Sequence, residues 1–463
     1  MLKVLKIIKK YIEKRKIDVK KIDLNVLLKQ DEKAFRNILL EEDTNKQISL
    51  IYLYSNETFN SKENKHKDEI IELFKNSTLN EYQARYGCKT AISKRVLAKE
   101  NCLDIIKLIT RAQEDYQAQY GWNVATDEDV LDNENYLDII KLITETKKEY
   151  QAQYGCRTAI SKRVLTKENC LDIIKLITRT QEDYQAQYGW NVATDEDVLD
   201  NENYLDIIKL ITETKKEYQA QYGYATAVDS NVLEKENCLD IIKLIIRAQE
   251  AYQTQYGCFV ATNKDVLAKE NYLDIIKLIT KTQKENQAYY GYVTAVDINV
   301  LEKENCLDII NLITGAQEGY QAKYGCNVAR DKDVLEKENY LDIIKLITET
   351  QEYYKALYGS DVARDENVLD NENYMNIIKL IIETQEEYQA QYGCNVATNE
   401  DVLAKENCLD IIKLITKSEN VKQAKTRYIL IKEGILNKDN YLDIISSVPS
   451  ESLDQNEKQL TRK

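Results

Sequence analysis

Residues 122–155 read WNVATDEDVLDNENYLDIIKLITETKKEYQAQYG, and close variants of this string follow one another along most of the chain. Ten of the thirteen glycines, Gly87, Gly121, Gly155, Gly189, Gly223, Gly257, Gly291, Gly325, Gly359 and Gly393, fall 34 residues apart, each preceded by a tyrosine. A fixed period between about 20 and 50 residues marks an array of small supersecondary units, none of which buries its apolar face without its neighbours. The spacing therefore predicts an all-α fold, an α-solenoid of tandem 34-residue, two-helix repeats.

Within the type unit, Thr126-Asp127-Glu128-Asp129 has the form of a capping box, with the Thr126 hydroxyl and a later carboxylate meeting the orphan amides of a helix start. Asp127 and Glu128 also suit the positive end of the helix dipole. A short first helix then runs to about Asn133 and buries Val130 and Leu131. The second helix is expected from Asn135, a plausible N-cap. Its apolar positions, Tyr136, Ile139, Ile140, Ile143, Thr146 and Tyr150, recur every three or four residues, the spacing of one buried stripe. The stripe carries the expected helix through Tyr154, and Gly155 is expected to end it in the left-handed conformation.

Two further features read as packing devices. In the column of Tyr136, Cys102, Tyr136, Cys170, Tyr204, Cys238, Tyr272, Cys306 and Tyr340 alternate small and large until Tyr374 breaks the order. Such alternation lets successive layers interdigitate at constant volume. Residues 88–155 and 156–223 differ only at Lys89/Arg157, Ala98/Thr166 and Ala112/Thr180, so the duplicated unit there is a pair of repeats.

The pattern divides the chain into an N-terminal segment, 1–66, a repeat region, 67–446, of about eleven copies with irregular first and last members, and a polar tail, 447–463, expected to be disordered. Leu2–Arg15 reads as a basic amphipathic helix and Ala34–Leu40 as a second, short one. The segment is either a cap over the exposed end of the first repeat or a targeting element whose residues 2–15 touch a membrane surface. Ile48–Tyr54 fits a brief strand or the last turn of a cap helix, and Asn56–Lys67 a polar loop. Past Gly393 one more copy follows; the pattern fades through Lys417–Lys425 and returns at Asn440–Ile445.

Bulk composition narrows the partner. Residues 1–66 hold 15 Lys/Arg against 10 Asp/Glu, the remainder 49 against 68, and the chain's net charge is −14. So acidic an array repels phosphates, which disfavours nucleic acid and anionic lipid as ligands of the repeats. The ten cysteines stand in repeat register without a CxxC, as small core residues in a reducing compartment. No apolar run is long enough to span a bilayer, and no signal-peptide cleavage pattern follows Met1–Lys10.

At Asn135–Ile143 and at Leu171–Ile177 the chain resembles the second helix of an ankyrin repeat, typically HLEIVKLLL. Glu182-Asp183-Tyr184-Gln185-Ala186 takes the place of the ankyrin GADVNA turn, and Gly155–Ile160 is similar to the G-x-T-A-L opening of the next copy. The resemblance covers roughly residues 68–446 and implies L-shaped helical hairpins stacked into a scaffold that binds other proteins. TPLH is absent, Glu-Asn replaces the Gly-His between helices, and the period is 34 where ankyrin has 33. TAL-effector-type DNA readers share a 34-residue, short-helix and long-helix unit, but their glycine pair and basic stripe are missing here.

Little in the sequence carries reaction chemistry. His66 is the only histidine and sits in a polar stretch, so no catalytic residue, cofactor or metal site is expected. Acidic clusters such as Asp127-Glu128-Asp129 fit helix capping and lack the spacing of a calcium loop. Phosphate-cradling GxxxxGK[ST] and GxGxxG are absent. The expectation is a non-enzymatic protein-interaction scaffold whose partner's identity is unknown. It rests on the short-helix starts, which change between copies: Lys94, Arg95, Asp127, Glu128, Asp129, Lys162, Arg163, Asp195, Glu196, Asp197, Lys264 and Asp265 are the candidate contact residues. The alternative for these positions is neutral variation at solvated sites. The tyrosines Tyr116, Tyr150, Tyr184 and Tyr218 fit either interface area or core. A nucleic-acid-binding array and a self-assembling structural repeat protein are the competing classes. Richness in Lys, Asn, Ile and Tyr fits an AT-biased genome such as that of an intracellular microbe, and with it an effector exported into a host cell; the cysteine pattern fits a cytoplasmic, reducing compartment.

Overall fold

The computed structural model describes residues 22–450. The expected helix Leu2–Arg15 lies outside them, as does nearly all of the expected tail. The chain divides into two compact units at Leu233/Glu234, within one sequence repeat. Both are all-α stacks, and among the described residues there is no strand. The expected α-solenoid class holds in each unit.

The repeat differs from expectation in one respect: its long second helix is interrupted. Each 34-residue period holds three helical segments, seen in Asp183–Ala193, Glu196–Asp200 and Tyr204–Thr212. We call these the YG helix, the short helix and the isoleucine helix. The apolar stripe runs on across the break, and polar groups turn the chain. After Cys170–Thr178 the chain leaves helical geometry, and Glu182 is extended at φ −120°, ψ 153°. Gln185, in the first turn of the next helix, accepts hydrogen bonds at Oε1 from the amides of Gln181 (2.7 Å) and Glu182 (3.0 Å). Its Nε2 donates to the carbonyl of Thr214 at 2.6 Å. Glu182 and Gln185 thus start a new helix as a capping box. Residues 182–186, which the ankyrin likeness sets in a turn, open this YG helix.

Gly189 consequently lies inside a helix and does not end one. A Cβ there would stand 2.5 Å from Thr212 Cγ2 and 2.9 Å from Ile177 Cδ1. Glycine is required because the YG helix is pressed against its own isoleucine helix and the preceding one. Among the described glycines the left-handed conformation occurs at Gly434 alone, φ 87°, where it follows the helix Val421–Lys432. The expected capping box is absent, and a single N-cap one residue later takes its place. Asp127 is the N-cap of Glu128–Asp132, accepting from the Val130 amide at 3.1 Å, while the Thr126 hydroxyl donates back to the Trp122 carbonyl.

In the first unit the stack is preceded by Leu24–Leu28, Glu32–Leu39, Thr44–Tyr54 and Lys67–Asn76; the first three are capped by Asp23, Asp31 and Asp43. Ile48–Tyr54 is therefore helical, and the helix expected at Ala34–Leu40 starts two residues earlier and ends at Leu39, with Leu40 as its C-cap. Phe74 packs against Gly87 as Ile109 does against Gly121, so Lys67–Asn76 acts as the isoleucine helix of a degenerate first copy. The polar stretch after Tyr54 is turn-rich yet anchored: Phe59 is fully buried, and Asn60 Nδ2 donates to the carbonyls of Leu53, Tyr54 and Asn56. His66 ends it at the start of Lys67–Asn76, with Nδ1 3.0 Å from Glu69 Oε2.

In both units the core is a column of isoleucines. Ile139, Ile140 and Ile143, and in the second unit Ile275, Ile276 and Ile279, have no exposed surface. Each buried side chain contributes about 1.5–3 kcal/mol. The second unit closes with a copy the sequence had only half disclosed: Val421–Lys432 is an eleventh YG-type helix, followed by a 3-10 turn and Tyr441–Ser446.

Candidate partner-binding surfaces

The short helices touch their neighbours in series and form one row in each unit. In the first unit, basic and acidic starts alternate along it. Arg95 pairs with Glu128, Lys162 with Asp129 at 3.8 Å, and Arg163 with Glu196 at 2.6 Å. Lys99 and Asp132, then Lys167 and Asp200, repeat the pairing at the far ends of the same helices, at 3.7 and 3.4 Å. Much of the charge variation seen in the sequence is thus matched between adjacent copies. These side chains are largely exposed, so each pair contributes only about 0.2–1 kcal/mol and remains open to exchange with a partner's charges.

The remaining candidates fall at defined places. Asp127 and Asp195 are N-caps, each accepting from a valine amide at 3.1 Å. Lys94 borders a hollow with Glu57 and Glu63, and Asp197 one with Asn191 and Tyr224. In the second unit, Lys264 and Asp265 are exposed at the start of Lys264–Leu267, with Asn263 as cap.

The tyrosines do structural work that the sequence left open. Half-buried Tyr116 and Tyr184 donate through their hydroxyls to the carbonyls of Lys147 and Lys215, the latter at 2.8 Å, and Tyr150 donates to Gln181. They tie each YG helix to the loop that leads into the next. Tyr218 lies under the Lys216 ammonium, 5.3 Å from the ring centroid. The cysteines are buried. Burial pushes the thiols of Cys88, Cys156 and Cys394 up to about 12, which keeps them protonated and unreactive near neutrality.

A second surface, which the sequence reading passed over, lies between successive isoleucine helices. In the first unit, Cys170–Thr178 and Tyr204–Thr212 frame a groove of about 420 Å³, with Leu176 and Leu205 among its walls and Lys209 and Glu213 filling part of it. In the second unit the groove of the same register, between Tyr272–Lys281 and Cys306–Thr314, holds about 700 Å³. There Asn311 and Gly315 stand in the columns of Lys209 and Glu213. The signal was present as two departures in a single copy, visible only once both columns were known to face one groove.

Among the described residues no helix is long and apolar enough to cross a membrane. No protein-family profile matches the chain, and neither the curated proteins nor the solved structures contain a match to it.

Proposed function

We propose that this chain is a non-enzymatic scaffold that binds other proteins through the solvent-facing rows of its helical repeats. One observation carries the reading. Interior columns of isoleucine, alanine and glycine hardly change from copy to copy, while the short-helix starts and the groove-edge column that holds Arg179, Glu213 and Gly315 change in charge and size. A rigid frame with a variable outer row is the arrangement by which repeat proteins build extended binding faces. The ankyrin likeness of the isoleucine helix supports the same class of function.

The test is affinity capture with the full chain as bait, with and without nuclease, followed by reconstitution from purified components. The reading expects a protein captured regardless of nuclease and rebound at fixed stoichiometry. Capture that disappears on nuclease digestion, with affinity falling steeply as salt rises, would instead favour a nucleic-acid-binding array.

A further inference from the structure

Four positions between Glu285 and Gly319 depart from the pattern of the other copies. Asn286 stands where every other copy from Tyr82 to Tyr388 has tyrosine, and Asn311 where every other from Lys107 to Lys413 has lysine. Gly315 replaces a residue charged in every other copy from Arg111 to Lys417, and Gly319 stands in a mostly acidic column. The four fall into two pairs. A Cβ on Gly319 would lie 2.7 Å from Asn286 Nδ2, while Asn311 and Gly315 open the 700 Å³ groove. A second hollow of about 340 Å³ shares Asn311, Gly315 and Ala316 with it, making an elongated trough.

The trough holds an unmet hydrogen-bond requirement. Gln287 borders it and is 2 % exposed; its Nε2 donates to the carbonyls of Ala316 and Gln317, but its Oε1 accepts from no group. In Gln185 the same atom is satisfied by two loop amides. A buried acceptor without a donor costs about 1–3 kcal/mol; Gln287 Oε1 is itself shielded from solvent, so a donor in the trough recovers that cost by drawing the side chain outward. Leu278 and Leu307 give apolar walls. Lys277 and Lys281, one turn apart, line it with no ion pair among the described residues, and with Lys284 they outnumber Asp274 and Asp308. The local sign is opposite to the chain's net −14, and at the few ångströms of a bound contact the near charges dominate.

We propose that this trough binds an extended peptide segment of a protein partner. A backbone N–H meets Gln287 Oε1, an apolar side chain lies against Leu278 and Leu307, and an acidic side chain reaches Lys277 or Lys281. An extended strand fits because its backbone offers donors along its length and the trough is elongated. This rests on the protein-binding reading above and names its site.

The experiment pans a displayed library of random twelve-residue peptides on the full chain. Enriched peptides are then titrated by fluorescence polarisation against wild type, the refilled variant Asn311→Lys/Gly315→Glu and the rim variant Lys277→Ala/Lys281→Ala. Refilling installs residues that other copies carry at these positions, so its melting temperature is expected to match wild type. Expected are peptides pairing an acidic with an apolar residue, whose affinity falls at least tenfold in both variants. Peptides bound equally by wild type and the refilled variant would overturn the assignment of this trough yet leave the protein-binding reading standing. Enrichment indifferent to acidic residues would overturn the role of the lysines. If no peptide is enriched while affinity capture still returns a protein that the refilled variant holds as well, the trough is overturned alone; failure of both experiments overturns the broader reading too.

Discussion

The ammonium of Lys99 lies 5.5 Å from the ring centroid of Tyr136, one repeat further on. The same contact recurs from Lys167 to Tyr204, Lys235 to Tyr272, Lys303 to Tyr340 and Lys337 to Tyr374. Where the later residue is cysteine, asparagine takes the lysine's place: Asn133 Nδ2 donates to Cys170 Sγ at 3.7 Å and Asn371 Nδ2 to Cys408 Sγ at 3.9 Å. Lys269, which precedes Cys306, and Lys65, which stands at the same offset before Cys102 in the degenerate first copy, are the departures from this rule. The small and large alternation legible in the sequence is therefore half of a paired code between adjacent copies. A double-mutant cycle of Lys99→Asn and Tyr136→Cys is expected to show a coupling of about 0.5–1 kcal/mol. Strict additivity of the two changes in urea denaturation would contradict the pairing.

Gln185 joins three backbone groups, two ahead of its helix and one in the following loop. Gln185→Ala strands two amides and leaves the Thr214 carbonyl only the long 3.5 Å donation from the Tyr184 hydroxyl, at a cost of about 1–3 kcal/mol. Hydrogen exchange reads this locally: the amides of Gln181 and Glu182 are expected to exchange faster in the variant, and unchanged protection would count against the bridge.

Arg427 falls 34 residues after Gly393, in the glycine column, yet is only 7 % exposed. The final isoleucine helix, Tyr441–Ser446, is short, and the guanidinium occupies the space, donating to the carbonyls of Leu414 (2.6 Å) and Ile445 (3.1 Å) and to Ser418 Oγ (3.1 Å). Burial among neutral acceptors pulls its pKa below the usual arginine value. Arg427→Met is expected to cost about 1–3 kcal/mol, seen as faster exchange confined to Val421–Lys432 and Tyr441–Ser446. Uniform loss of protection across the second unit, or none, would contradict this local role.

The buried thiols set an alkaline limit. Below about pH 9 both folded and unfolded thiols are protonated. Above it the unfolded chain ionises, while Cys88, Cys156 and Cys394 hold their protons until about 12. Their stabilising contribution is therefore complete below pH 9 and lost between 9 and 12. Tyrosines raised by burial, such as Tyr154, add a contribution of the same sign above about pH 10. The melting temperature is expected to fall between pH 8 and 10.5, and to fall less in Cys156→Ala/Cys394→Ala; equal slopes in the two proteins would refute the assignment.

The period, the all-α class and the buried isoleucine column were legible because all three depend on spacing alone. The interrupted helix was not, since the stripe of Ile173, Ile174, Ile177, Thr180 and Tyr184 keeps helical spacing across the break. The signal that existed was Glu182 three residues before Gln185, a capping box begun by a glutamate, a less usual cap than serine or aspartate. Reading Gly189 as a stop followed from missing that start. Arg427 escaped because a guanidinium in a glycine column makes sense only beside a shortened helix. The short-helix charges were legible as a row but not as mutual pairs, which depends on which copies touch.

Thermal melting of Gly189→Ala, alone and combined with Thr212→Ser, tests most directly whether glycine is there to let helices meet. Thr212→Ser keeps the hydroxyl, which donates to the Ile208 carbonyl at 3.0 Å, and removes the methyl that a new Cβ would strike. Close packing predicts that alanine destabilises by about 1–3 kcal/mol, and that Thr212→Ser restores at least half of that loss in the alanine background while costing stability alone. An alanine variant as stable as wild type or more so, as helix propensity by itself would give, or a loss that the serine leaves untouched, would contradict it.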